Sequence, residues 1–254
     1  MKRSDFAVFL NKYLTDYLVN TRGSTEKTID SYRYAFISLL EYYSDVLKIP
    51  AEKICLTDLT YENISGFYKW LQEYMHNGIS TRNQRQAAIN SFIRFVIYER
   101  PEYLTEFQRI LGIPKKKAPQ KEISYLKADG IKLLMDQIST NDVKGLRDYV
   151  ILMLMYTTGV RVTELITIKV KDLSLSSPCT LLVYGKGQKS RFIPLNSKVV
   201  PIIKKYLKAM HYDNPARSDD WLFINHMGNQ FTRQGICYLV RKYAEKAHAV
   251  DASL

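Results

Sequence analysis

Cysteine and histidine are scarce in this chain, and their placement excludes several chemistries. The three cysteines, Cys55, Cys179 and Cys237, lie far apart with no CxxC spacing. They read as buried thiols of a reducing compartment rather than a disulfide framework or a zinc site. The four histidines, His76, His211, His226 and His248, are scattered, with no HExxH and no Cys–His cluster, so no metal site is expected. GxSxG and GxGxxG are both missing. No apolar signal region follows Met1-Lys2-Arg3-Ser4-Asp5, and no run approaches the roughly 18 apolar residues of a membrane span. The expected location is cytoplasmic, with no membrane partner.

Acidic residues are also in short supply. Lys and Arg number 37 against 25 Asp and Glu, a formal charge of +12. Such a surplus attracts a polyanion, nucleic acid first and an anionic membrane surface second. The surplus is unevenly placed. Met1 to Ile113 carries 14 Lys and Arg against 13 Asp and Glu, whereas Pro114 to Leu254 carries 23 against 12. The change falls at Ile113-Pro114-Lys115-Lys116-Lys117-Ala118-Pro119-Gln120-Lys121, where two prolines and four lysines describe an extended, hydrated connection. The expected division is therefore a domain over 1–112, a basic linker over 113–121 and a second domain over 122–254. The linker either lies along a phosphate backbone or is a solvated loop.

Apolar spacing makes the first part helical throughout. Phe6, Phe9, Leu10, Leu14 and Leu18 share one side of a segment ending near Asn20. Ser24 is placed to cap a second helix through Ile29, Tyr32, Phe36 and Leu40. A third follows Thr60, and Ser80 is placed to cap a fourth, which Pro101 interrupts. Thr81, Arg82, Gln84 and Arg85 crowd the start of the fourth helix, where backbone donors favour a phosphate. A solvated face fits the same residues.

The second part mixes elements. Helices are expected around Lys127–Ile138, Gly145–Tyr156, Arg161–Ile168, Val199–Met210 and Thr232–Ala249. Thr180–Tyr184 and Arg191–Ile193 read as strands flanking a hairpin tip at Gly185-Lys186-Gly187-Gln188. Trp221–Ile224 reads as a short buried run.

Two stretches can carry chemistry. In Tyr156-Thr157-Thr158-Gly159-Val160-Arg161-Val162-Thr163-Glu164-Leu165, a glycine ends a buried helix and an arginine opens the next. A guanidinium fixed at such a corner suits bidentate capture of a phosphate, with Glu164 as its brace. The spacing equally describes an ordinary i,i+3 ion pair on a helix surface. In Val183-Tyr184-Gly185-Lys186-Gly187-Gln188-Lys189-Ser190-Arg191-Phe192-Ile193-Pro194-Leu195, two glycines hold Lys186 at a hairpin tip. A lysine there is either a proton donor to a leaving oxygen or part of a solvated basic turn. The stretch lacks the spacing of a P-loop.

Taken in order, these stretches resemble the tyrosine recombinases of the phage integrase type. The segment 156–165 is similar to that family's first catalytic arginine motif, and Gly185-Lys186-Gly187 with Arg191 and Pro194-Leu195 to its β-hairpin lysine motif. Leu222-Phe223-Ile224-Asn225, Gly228, Thr232 and Gly235 resemble the segment before the final helices, and Ser24, Thr28 and Tyr32 the helical core-binding module. The resemblance implies a mainly α, two-domain protein, with a four-helix SAM-like core-binding domain followed by a partial α+β catalytic domain. It implies double-stranded DNA as partner, self-assembly on the recombination site, and strand exchange through a covalent 3′-phosphotyrosine, without cofactor or metal. Arg161 and Lys186 become the catalytic residues and Glu164 their support. The expected DNA contacts are Thr81, Arg82, Arg85, Lys115, Lys116, Lys117, Lys121, Lys189, Arg191 and Arg233.

The family pattern continues with His-x-x-Arg, a His or Trp, and a nucleophilic tyrosine. No histidine here has an arginine three residues later. Tyr238 and Tyr243 fall on the helix before that point, and neither is assigned as nucleophile. The expectation is a catalytic domain incomplete at its C-terminus, which holds DNA without cutting it. The alternative is a noncatalytic DNA-binding or regulatory protein that occupies recombination sites.

Overall fold

A computed structural model describes residues 4–119, 126–185, 187 and 189–251. The chain packs as two units, Met1–Glu122 and Ile123–Leu254.

In the first unit, α1 (Asp5–Lys12) starts at Ser4, whose hydroxyl accepts from the Ala7 amide at 3.2 Å. The helical path continues through Tyr13–Thr21 with the wider π geometry. Then come α2 (Glu26–Asp45), α3 (Tyr61–Glu73) and α4 (Ile79–Glu99). The third helix follows Thr60 as expected, and Thr60 caps it, accepting from the Asn63 amide. Two expected caps are displaced. Thr25, not Ser24, stands at the start of α2, and Gly78 precedes α4, which puts Ser80 inside its first turn.

Four helices were expected and a fifth is present. Pro101 does not end the helical domain but opens a tight turn over Pro101–Tyr103 that runs into α5 (Leu104–Leu111). Phe107 and Ile110 bury the inner side of α5 among α3 and α4. The core centres on Phe92 of α4. Phe6, Tyr13 and Phe36 meet its ring edge-on at 5.8, 5.3 and 5.2 Å, a geometry that adds about 1 kcal/mol per pair to plain burial.

The second unit is α+β. It contains α6 (Ala128–Asp136), α7 (Val143–Thr158), α8 (Val162–Leu165), β1 (Leu173–Ser174), β2 (Thr180–Tyr184), β3 (Ser190–Pro194), α9 (Val200–Ala209) and α10 (Arg233–Val250). The helix expected over Arg161–Ile168 is shorter, because Ile166 onward turns towards the sheet. Apolar α7 is the centre of this core, with Val150, Ile151 and Leu154 fully enclosed. Helices α6, α8 and α9 pack on it, and α10 packs on α6 and α8. The three strands form an antiparallel sheet in the order β1-β2-β3, with Leu181 opposite Ile193 and Val183 opposite Arg191. Leu181 and Val183 point into the core, which fixes the register, since a one-residue slip exposes both.

No helix among the described residues is long and apolar enough to cross a membrane.

Candidate nucleic-acid and phosphate site

The site begins with a glycine. Gly159 ends α7 in the left-handed conformation, φ +62°, and its amide returns to the Met155 carbonyl at 3.1 Å. The chain can then turn sharply, and Arg161 takes extended geometry at the head of α8. Glu164, one turn later, reaches back. Its Oε2 accepts from the Arg161 backbone amide at 3.0 Å and its Oε1 from Arg161 Nη1 at 3.0 Å. The Arg161 backbone is thereby pinned while its side chain remains 75% exposed.

The same carboxylate holds a second arginine. Arg191 of β3 donates from Nη1 to Oε1 at 3.0 Å and from Nη2 to Oε2 at 2.9 Å, a bidentate pair. Glu164 itself is buried. The Arg191 hydrogen bonds, followed by those of Arg161, outweigh the opposing effect of burial and bring its pKa down to about 2. The carboxylate is thus ionised throughout the physiological range.

The hairpin closes on this group. Gly185 donates to the Lys189 carbonyl at 2.7 Å, and a Cβ at Gly185 would stand 3.4 Å from Glu164 Oε1 and 3.6 Å from Arg191 Nη1. Arg161, Thr163, Thr167 and Tyr184 line a cleft of about 620 Å³ with Gly185 and Glu164. A fixed guanidinium facing an open cleft suits recognition of an oxyanion whose charge grows during reaction.

The other expected positions are distributed as follows. Lys186 and Lys121 lie outside the described residues. Lys115, Lys116, Lys117 and Lys189 are exposed. Arg233 is exposed in the first turn of α10, behind the Thr232 cap. Thr81 is half-buried. Arg85 donates to the Ser31 carbonyl of α2 at 3.2 Å.

Arg82 departs from the sequence reading. It is not on a solvated helix end but 4% exposed, stacked over Tyr68 at 4.6 Å and donating to Gln86 Oε1 and the Pro114 carbonyl.

Two features escaped the sequence reading. The Arg191–Glu164 pair joins positions 27 residues apart, so no local spacing signals it. The other is a buried carboxylate, Asp148, which accepts from Tyr243 Oη at 3.0 Å and from Arg147 Nε and Nη2 at 3.0 and 2.7 Å. Its signal was an acid inside the apolar run Leu146–Leu154. Burial and the adjacent Asp148 raise the Tyr243 pKa, and the phenol serves as an anchor between α10 and α7.

Comparison with known proteins completes the picture. Residues 124–253 match the model of the phage integrase family. A putative integrase/recombinase, y4rC of Sinorhizobium fredii, is 28% identical over all of this chain and 75% of its own length. The tyrosine recombinase XerD of Listeria monocytogenes is 30% identical over 91% of this chain and 75% of its own. Among solved structures, a lambda integrase dimer bound to a COC′ core site superposes with a TM-score of 0.69 at 14% identity, covering 95% of this chain and 81% of that one. XerH bound to its difH substrate gives 0.68 at 19% identity, covering 89% and 64%. The fold, the order of the motifs and the family match agree, and the chain belongs to the phage integrase family of tyrosine recombinases.

Proposed function

We propose that this protein acts in the breaking and rejoining of duplex DNA, with Arg161 as the group that holds the reacting phosphate. The supporting observation is the Glu164 carboxylate, which fixes the Arg161 backbone and leaves its guanidinium exposed at a cleft. A cation preset in this way stabilises the charge that develops on a nonbridging oxygen without reorganising during the step. Glu164 and Arg191 act through Arg161 and are positioning residues. Lys186 is assigned, by its place in the family motif, to protonate the leaving 5′-oxygen. The strand-exchange chemistry expected of the family passes through a 3′-phosphotyrosine, which conserves the phosphodiester energy.

Residues 1–254 contain no histidine followed three residues later by arginine, and no attacking tyrosine is assigned among them. Their proposed share of the work is grip and phosphate neutralisation. Double-stranded DNA is the proposed partner, and self-assembly on it belongs to the same reading.

The test is binding of these 254 residues to duplex DNA across a salt series, followed by denaturing electrophoresis on a nicked duplex. Salt-sensitive binding without a covalent adduct is expected, and Arg161→Ala is expected to lower the slope of log K against log salt by about one. Binding that ignores salt, or an unchanged slope in Arg161→Ala, removes the assignment.

A further inference from the structure

Helix α8 is too short to hold its own position. At four residues it lies far below the length at which a helix persists alone, so its place depends on contacts from outside it. Arg161 stands at its head, where Glu164 reaches back to it. The other end carries the carbonyls that every helix leaves unpaired. Thr167 Oγ1 donates to one of them, the Glu164 carbonyl, at 2.8 Å. The Ile166 carbonyl accepts from Gln230 Nε2 at 2.8 Å, across 64 residues of chain. Among the described residues it has no other hydrogen-bond partner.

Gln230 is itself held. It stands opposite Ile224 across an antiparallel bridge, at the base of a tight turn. Inside that turn Asn225 Oδ1 accepts from the Met227 and Asn229 amides at 2.9 and 3.0 Å, and the Asn225 amide donates to the Asn229 carbonyl at 2.7 Å. The base of the turn is fastened to α7. Arg147 Nη1 donates to the Ile224 carbonyl at 2.9 Å, while its Nε and Nη2 donate to the buried Asp148 carboxylate. Asp148 in turn accepts from Tyr243 of α10. Polar contacts thus run without a gap from α10, through α7 and the turn, to the end of α8 opposite Arg161.

We propose that Gln230 is a positioning residue for the Arg161 phosphate contact. Its amide fixes the C-terminal end of α8, and through α8 it sets where the Arg161 guanidinium stands at the cleft. The inference rests on the DNA-binding reading above and extends it to a residue that does not line the cleft. Loss of the Gln230 donor leaves the Ile166 carbonyl unpaired, and α8 shifts to bring that carbonyl to water. Arg161 and Glu164 move with the helix, whereas Arg191 stays with β3, so the shared carboxylate no longer meets both guanidiniums in register.

The experiment is a double-variant cycle on the whole 254-residue chain, read as affinity for a short duplex of arbitrary sequence at one salt concentration. Gln230→Met keeps the length of the side chain and removes its donor. It is expected to weaken binding on the order of fivefold, within the range of coupling between groups that act through one another. In the Arg161→Ala background the same change is expected to have no further effect, because the contact it serves is gone. A general packing defect would instead cost the same in both backgrounds. Urea melts establish that each variant is folded. Where Gln230→Met does not fold, Gln230→Asn, whose amide is one methylene short of Ile166, takes its place with the same expectation. Parental affinity in the folded Gln230 variant, or an equal loss in both backgrounds, overturns the assignment of Gln230 and leaves the DNA reading intact. Parental affinity in Arg161→Ala removes Arg161 and Gln230 together. No salt-sensitive binding by the parent overturns the DNA reading and this inference with it.

Discussion

Arg82 and Arg161 both stand near the start of a helix in polar surroundings, yet the structure uses them in opposite ways. Arg82 sinks its guanidinium, 4% exposed, into contacts with Tyr68, Gln86 and the Pro114 carbonyl. Arg161 keeps its side chain 75% exposed, and it is the backbone amide that Glu164 restrains. The difference lies in what the partner is. Neutral carbonyls and amides hold the Arg82 charge by enclosing it, so that even its unpartnered Nε is shut away from a ligand. A buried carboxylate that grips the backbone and a single Nη atom leaves other donors available for a ligand. Burial of the partner, not of the arginine, marks the residue that can meet an anion.

The largest effect that would break this comparison is expected at Arg82. Arg82→Ala empties a buried site and strips partners from Gln86 and the linker carbonyl, a loss of about 3 kcal/mol. A urea melt reads this as a lower midpoint at unchanged slope. A shift as small as that of a surface arginine would show that the site reorganises at little cost.

Glu164→Ala is expected to cost less, about 2 kcal/mol. Breaking a buried ion pair costs more than this in general, but both arginines here are exposed enough to recover water. Its pH signature is specific. The folded-state pKa of about 2 lies below the ordinary value of 4.5, so the contribution is fully present above the ordinary value. It is lost as pH falls through 4.5 towards the folded value. The urea midpoint of the parent is therefore expected to fall between about pH 5 and about pH 2 more steeply than that of Glu164→Gln. Parallel profiles would remove Glu164 from the account of acid stability.

Gly159→Ala sharpens the comparison at the smaller end. A Cβ at φ +62° meets no neighbour within 4 Å, so the cost is conformational, about 1 kcal/mol. Because the turn aims Arg161, this variant is expected to lose DNA affinity beyond its modest loss of stability. Affinity equal to the parent would show that the corner tolerates a different path.

Much of this was legible in the sequence. Thr180–Tyr184 was bounded correctly because an apolar run flanked by β-branched and aromatic residues ends at a glycine turn, and the Arg161 corner was marked by Gly159 after an apolar helix. The failures have physical causes. Pro101 was taken as a stop, although proline is equally suited to the first turn of a helix, and α5 was lost with it. Arg82 was placed on a helix end that either faces a phosphate or is solvated, because a charged side chain in a first turn is exposed by default. Only the partner strand of backbone, Ile113 to Lys116, accounts for its burial. The Arg191–Glu164 pair was not foreseen because it depends on the sheet register, which spacing along the chain does not carry.

One carboxylate serving two guanidiniums has a consequence for how substitutions combine. Positions 161, 164 and 191 share a single acceptor, so the cost of changing one depends on which residues occupy the other two. Losing Arg191 leaves Glu164 to Arg161 alone, while losing Glu164 leaves two guanidiniums without their shared anion. In a library of random variants these three positions would be inherited together, as one epistatic locus spread over a helix start and a strand.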